Sequence, residues 1–201
     1  MTTDDSQTPS SLKDFVEVCT KAASSNFLDE DIVDDIAPAM KSLCRPDNVG
    51  HWLPKHMLSS DVEAPPASDG PLMRLLHEEP DGIAIYVCTS QGQTQYPIHS
   101  YDTWAVVGVI QGKERLCLYA RSDDRLKPDF AILNEASSRV YSHVFDFPVM
   151  CLLQGDIWHT YNVEQTPAIT VHVYGRNLKR VERRVFNAEE RTVVTHKPEE
   201  A

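Results

Sequence analysis

No run of apolar residues in this chain approaches the ~20 needed to cross a bilayer, so a membrane-spanning segment is not expected. Basic charge is also scarce. The formal net charge is −11, and the one basic cluster, residues 179–184, is short. Such a chain repels phosphates and has no cationic stripe, so nucleic acid is not an expected partner. The first eleven residues are polar and acidic, with neither a basic start nor an apolar stretch, so they do not read as a secretory signal. Cysteine is present but unpaired in pattern: Cys19, Cys44, Cys88, Cys117 and Cys151 are odd in number, with no C-x-x-C. Cys88, Cys117 and Cys151 lie in apolar runs, where a thiol acts as a small hydrophobe. This usage argues against a disulfide framework or a zinc ribbon and points to a reducing, cytoplasmic setting.

What remains is an ordinary globular composition, 41% hydrophobic and 24% charged, so disorder is not the default. Its 201 residues suffice for one domain with a full core and a cap. Residues 1–10 read as a disordered tail. From Ser11 the period is helical: Leu12, Phe15, Val16, Cys19 and Ala23 share a face, with Ser11 and Asp14 placed as a capping box. A second amphipathic stretch passes through Leu28, Ile32 and Ile36, and Pro38 is expected to break it or to start a new helix with Met40 and Leu43. The acidic stretch 29–35 reads as a solvated helix face. Residues 46–71, rich in Pro, Ser and Asp, read as a long connection.

Beyond Pro71 the pattern changes to short β-like runs at 83–89, 104–110, 114–120, 140–147, 149–153, 157–163 and 169–174. Turn signals such as Gln91-Gly92, Gln111-Gly112, Gln154-Gly155-Asp156 and Gln165-Thr166-Pro167 separate several of them. Many short strands without intervening helices predict an antiparallel sandwich or closed barrel and exclude a parallel α/β arrangement. The divisions are then a helical cap and connection over 11–70, a barrel over 71–185 and a C-terminal extension over 186–201, with residues 176–201 charged and expected at the surface.

Three constellations carry possible chemistry. In Pro97-Ile98-His99-Ser100-Tyr101-Asp102-Thr103-Trp104, strand alternation puts His99 and Tyr101 on one face. The second is Gly155-Asp156-Ile157-Trp158-His159-Thr160-Tyr161-Asn162. The third, Thr170-Val171-His172-Val173-Tyr174, holds three polar side chains at spacing two in an otherwise apolar run. Convergence of His99, Tyr101, His172 and Tyr174 on one cavity is expected. His51, His56, His77, His143 and His196 read as incidental.

Over residues 72–176 these motifs resemble the cysteine dioxygenase-type thiol dioxygenases of the cupin superfamily, including the mercaptopropionate-type members. The resemblance implies a mainly β, cupin (RmlC-like jelly-roll) antiparallel β-barrel with an N-terminal α-helical cap. It implies non-haem iron as cofactor and oxidation of a small carboxylate-bearing thiol to a sulfinate. His99 matches the first metal ligand, and Thr170, His172 and Tyr174 match the relay beside the iron. Arg74 matches the arginine of the cysteine-specific members, and Arg183 that of the mercaptopropionate-type members. The chain departs from the pattern where Tyr101 replaces the second histidine and Trp158 stands at the third ligand in gapless register. A bulge would bring His159 there instead. Val106 replaces the cross-linking cysteine. The implied metal set is His99, Tyr101 and His159, with Arg74, Trp158 and Arg183 around the substrate. The alternatives are a metal-free cupin binding a small ligand between aromatic walls, and a cupin oxygenase or lyase acting on a non-thiol substrate.

Overall fold

A computed structural model describes residues 11–57, 71–144 and 148–199; the expected tail at 1–10 lies outside these. Helix α1, Leu12–Ser25, opens on Ser11, whose hydroxyl accepts the Asp14 amide at 3.2 Å, and it buries Phe15, Cys19 and Ala22. Helix α2, Asp29–Leu43, runs through Pro38 without a break. The expected interruption is absent because Pro38 and Asp34 lie on the exposed side, where water takes the carbonyl that proline leaves unbonded. The buried face of α2 carries Ile32, Val33, Ile36, Met40 and Leu43. Within the expected connection, Pro46–Trp52 forms a short helix, α3, and the Trp52 indole donates to the Leu43 carbonyl at 3.0 Å. Among the described residues no helix is long and apolar enough to cross a membrane.

The rest is antiparallel β structure, so the chain is mainly β with the helical region at its N-terminus, as expected. Its strands are β1 (Leu72–Glu78), β2 (Ala84–Ser90), β3 (Ile98–Tyr101), β4 (Ala105–Gln111), β5 (Lys113–Arg121), β6 (Leu133–Ser142), β7 (Val149–Leu152), β8 (Ile157–Asn162), β9 (Ala168–Tyr174), β10 (Arg183–Asn187) and β11 (Thr192–His196). They form two sheets instead of one closed ladder: a five-stranded sheet ordered β1-β2-β9-β4-β7 and a six-stranded sheet ordered β11-β10-β3-β8-β5-β6. The run expected at 140–147 begins earlier, at Leu133. The expected C-terminal extension contributes β11 and the end of β10.

Both faces of the five-stranded sheet are covered, which explains why β2, β4 and β9 read as nearly unbroken apolar runs. Ile85, Val87, Val106, Val171 and Val173 pack under Phe15, Ile36 and Met40 of the cap. Ala84, Tyr86, Cys88, Val107 and Tyr174 point the other way, toward Leu116 and Trp158 of the second sheet. At Gly108 the sheet lies close against the cap. A Cβ there would lie 2.3 Å from Cys44 Sγ and 2.7 Å from Met40 Sδ.

Candidate functional site

Strand alternation sorts the chemistry-bearing residues between the two faces of each strand. On β9 the valines face the cap, so Thr170, His172 and Tyr174 face between the sheets. The His172 ring bridges its neighbours along the strand, Nε2 with Thr170 Oγ1 at 2.8 Å and Nδ1 with the Tyr174 hydroxyl at 3.0 Å. Burial, and then the nearby His99, lowers the His172 pKa to about 3, so its ring is neutral at ordinary pH. A neutral imidazole has one N–H and one lone pair. When Thr170 donates to Nε2, Nδ1 donates to Tyr174 and the phenolic proton is free for the cavity. Burial pushes the Tyr174 hydroxyl pKa well up, so it is held as a donor.

On β3, His99 and Tyr101 share the inner face. His99 Nδ1 lies 2.9 Å from the Pro97 carbonyl, an acceptor only, so Nδ1 carries the proton and Nε2 keeps its lone pair. Burial is the main cause that lowers the His99 pKa to about 4. Its ring packs on Trp158 with centroids 4.1 Å apart and meets Tyr101 edge-on at 5.0 Å. Together with Pro71, Met73, Tyr96, Thr160, His172, Tyr174 and Arg183, these rings line a cavity of about 310 Å³. The expected convergence of His99, Tyr101, His172 and Tyr174 is therefore what the fold produces. None of the five incidental histidines lines this cavity.

Two expectations are corrected by the register. Strands β5 and β8 pair without a shift, Leu118 opposite Trp158 and Cys117 opposite His159. With no bulge, Trp158 points inward and His159 outward, where its Nδ1 lies 3.3 Å from the Tyr119 hydroxyl. His159 is thus not a member of the cavity. Arg74 is also displaced: it pairs with cap-facing Val87, while Met73, opposite Cys88, reaches the cavity. Arg183 is the arginine that lines it. It pairs with Tyr101 across β3 and β10, and its guanidinium lies 5.8 Å from the Tyr101 ring centroid. Its Nε is buried without a hydrogen-bond partner, and no carboxylate pairs with it among the described residues.

The implied iron fares poorly on the donor set. His99 Nε2 is one imidazole donor, both His172 nitrogens are engaged, and Trp158 fills the third ligand position with an indole. Burial raises the Tyr101 pKa, which disfavours the phenolate that would bind a metal, although Arg183 opposes this. Among the described residues no group of three His, Cys, Asp or Glu side chains is arranged to hold a metal ion. The residues present do not fit an iron centre of the implied kind.

One group escaped the sequence reading. Glu114, at the start of β5, is 3% exposed and faces inward beside the cavity wall. Ser90 Oγ donates to its Oε1 at 2.5 Å, and the Thr160 hydroxyl is a second partner. A carboxylate at a strand end reads as solvated, and nothing local signals otherwise.

No family model matches the chain, and no curated protein matches it. Several solved structures align with part of the chain. The cupin domain of Cnp3 from Schizosaccharomyces pombe aligns at 11% identity and a TM-score of 0.40, over 52% of this chain and 60% of that one. An RmlC-like cupin protein from Ralstonia eutropha aligns at 11% identity and 0.43, over 65% and 69%. An oxalate oxidase in complex with the substrate analogue glycolate aligns at 17% identity and 0.44, over 61% of each chain.

Proposed function

We propose that this cupin binds a small carboxylate-bearing molecule in the cavity between its sheets, without needing a metal ion to do so. The observation that carries this reading is Arg183. It is a cation whose buried Nε has no hydrogen-bond partner among the described residues, on a cavity whose other described walls are neutral and largely aromatic. A planar guanidinium suits a carboxylate, and the adjoining rings exclude competing water. Tyr174, with its proton freed by the His172 relay, would be a second donor to the bound molecule. Calorimetric titration with short-chain carboxylates tests this. Saturable binding that is lost in Arg183→Met supports it, and binding indifferent to Arg183 overturns it.

A second reading, thiol dioxygenation of a carboxylate-bearing thiol, is favoured by the bonded Thr170–His172–Tyr174 series. It needs iron, which supplies the site for oxygen and thiolate, and the donor set here does not fit that ion. In this reading the chain's own residues would still act as above, Arg183 on the carboxylate and Tyr174 as hydrogen-bond donor. Stoichiometric metal in protein purified without chelators, with oxygen uptake on a thiol panel, would place it first.

A further inference from the structure

Resting on the carboxylate reading, we propose that the cavity selects an aromatic carboxylate that carries no amine, a single ring joined to its acid group by a short arm. The rings of the cavity are grouped around Tyr101. Between centroids, His99 lies 5.0 Å from it, Tyr174 5.6 Å and Trp158 6.5 Å, and the Arg183 guanidinium is 5.8 Å away. The cation therefore stands directly against the ring cluster. A carboxylate held on Arg183 needs only a short arm to bring its own ring among the others. The wall rings are steeply inclined, at 73° between His99 and Tyr101 and 70° between Tyr101 and Tyr174. Rings set at such angles do not cover one another's faces, so a third ring can meet both a face and an edge. Aromatic pairs gain from such contacts beyond what buried area supplies, and a saturated ring does not. The cavity volume of about 310 Å³ is the share of roughly ten waters, commensurate with one ring and its acid arm.

Charge supplies the other half of the selection. Among the described residues that line the cavity, Arg183 is the only charged one. Burial holds His99 and His172 neutral and keeps the protons on Tyr101 and Tyr174. Glu114 is not a lining residue. An α-ammonium group next to the bound carboxylate would lie close to the Arg183 cation, with no anion of the described walls to offset it. Such a group loses its hydration without a replacement partner and is repelled by its like-charged neighbour. An amino acid, cysteine included, is thereby disfavoured against the same skeleton without its amine.

The test is a pair of affinity ratios, measured by calorimetry on the full chain with three acids of one skeleton: 3-phenylpropanoate, 3-cyclohexylpropanoate and phenylalanine. The phenyl acid should bind roughly two- to tenfold tighter than its saturated counterpart, the worth of an added aromatic pair, although the cyclohexyl ring is the more apolar. It should bind about five- to a hundredfold tighter than phenylalanine, the cost of a buried polar group left without a partner. In Trp158→Leu the phenyl-over-cyclohexyl ratio should fall toward unity while binding stays sensitive to Arg183→Met. Tyr101→Leu repeats the measurement should Trp158→Leu fail to fold. Equal affinities for the two ring acids, a ratio that survives the ring variants, or phenylalanine bound as tightly as 3-phenylpropanoate overturns this inference. Arg183-dependent binding of the saturated acid then leaves the carboxylate reading standing. No binding by these acids or by the short-chain carboxylates overturns both.

Discussion

At the level of single residues, the face on which a side chain falls decides its role, and substitutions should sort by face. Arg183→Met should weaken carboxylate binding by ~1.5–3 kcal/mol, as expected for hydrogen bonds to a charged group, whereas Arg74→Ala should leave the titration unchanged. Equal losses in both would show that the β1 register is misassigned. The same logic applies to the metal. Tyr101→His together with Trp158→His would set three imidazoles, with His99, around one point. Elemental analysis should find divalent metal in that double variant well above the unaltered chain, and His159→Ala should not diminish it. His99, Tyr101, His172 and Tyr174 were legible because period two on a strand is unambiguous. The choice between Trp158 and His159 depended on one bulge, which the β5–β8 pairing settles. Glu114 was not legible, because its burial depends on Ser90, far away in sequence, and on a cavity wall made by other strands.

Among the elements, the cap and the five-stranded sheet are fitted to each other at Gly108. Gly108→Ala puts a methyl against Cys44 and Met40, and overpacking of that kind costs about 1–3 kcal/mol, read as a lowered midpoint in urea. Pro38→Ala should act in the opposite direction, since alanine restores a helical N–H and is the better helix former. A lowered thermal midpoint in Pro38→Ala would mean that the helix is not continuous there. The helices were legible from Phe15, Cys19, Ile32 and Ile36 at helical spacing. The reading stopped α2 too soon because the sequence alone does not tell which side of a helix a proline occupies. Strands β10 and β11 went unseen because Arg183, Arg184, Thr192 and Thr195 give them a charged or polar character, and their pairing with β3 is long-range.

For the molecule as a whole, three buried histidines, His99, His159 and His172, make stability depend on acid. Burial lowers the pKa of each below the ordinary 6.5, to about 4 for His99 and about 3 for His172. The unfolded chain therefore takes up protons first. Stability is full above pH 6.5 and falls as pH drops toward those values, by up to ~1.4 kcal/mol per pH unit for each ring. Glu114, with a raised pKa, acts with the opposite sign. Comparing His172→Gln with the unaltered chain in denaturant melts from pH 7 to 4 isolates one ring, and the variant should show the shallower decline. A different kind of behaviour follows from how the site is hung within the fold. Strand β3 is joined to β8 by the single pair His99–Trp158, but to β10 by four residue pairs. Flanking bonds, Tyr96 N to Thr160 O at 3.3 Å and Gly155 N to Tyr101 O at 3.0 Å, hold the seam at its ends. His99, Tyr101 and Arg183 thus sit on a three-stranded ribbon joined to β8 by a narrow ladder and held at its far edge by Ala131 N to Arg191 O at 3.1 Å and Val193 N to Asp129 O at 2.9 Å, facing a sheet anchored on both sides. In amide hydrogen exchange this ribbon should open at lower free energy than β2, β4 and β9, with its amides exchanging together as one cooperative unit. A bound ligand joining Arg183 to the opposite wall should slow that whole group at once, so occupancy of the cavity is read out on β10 and β11 without any label on the ligand.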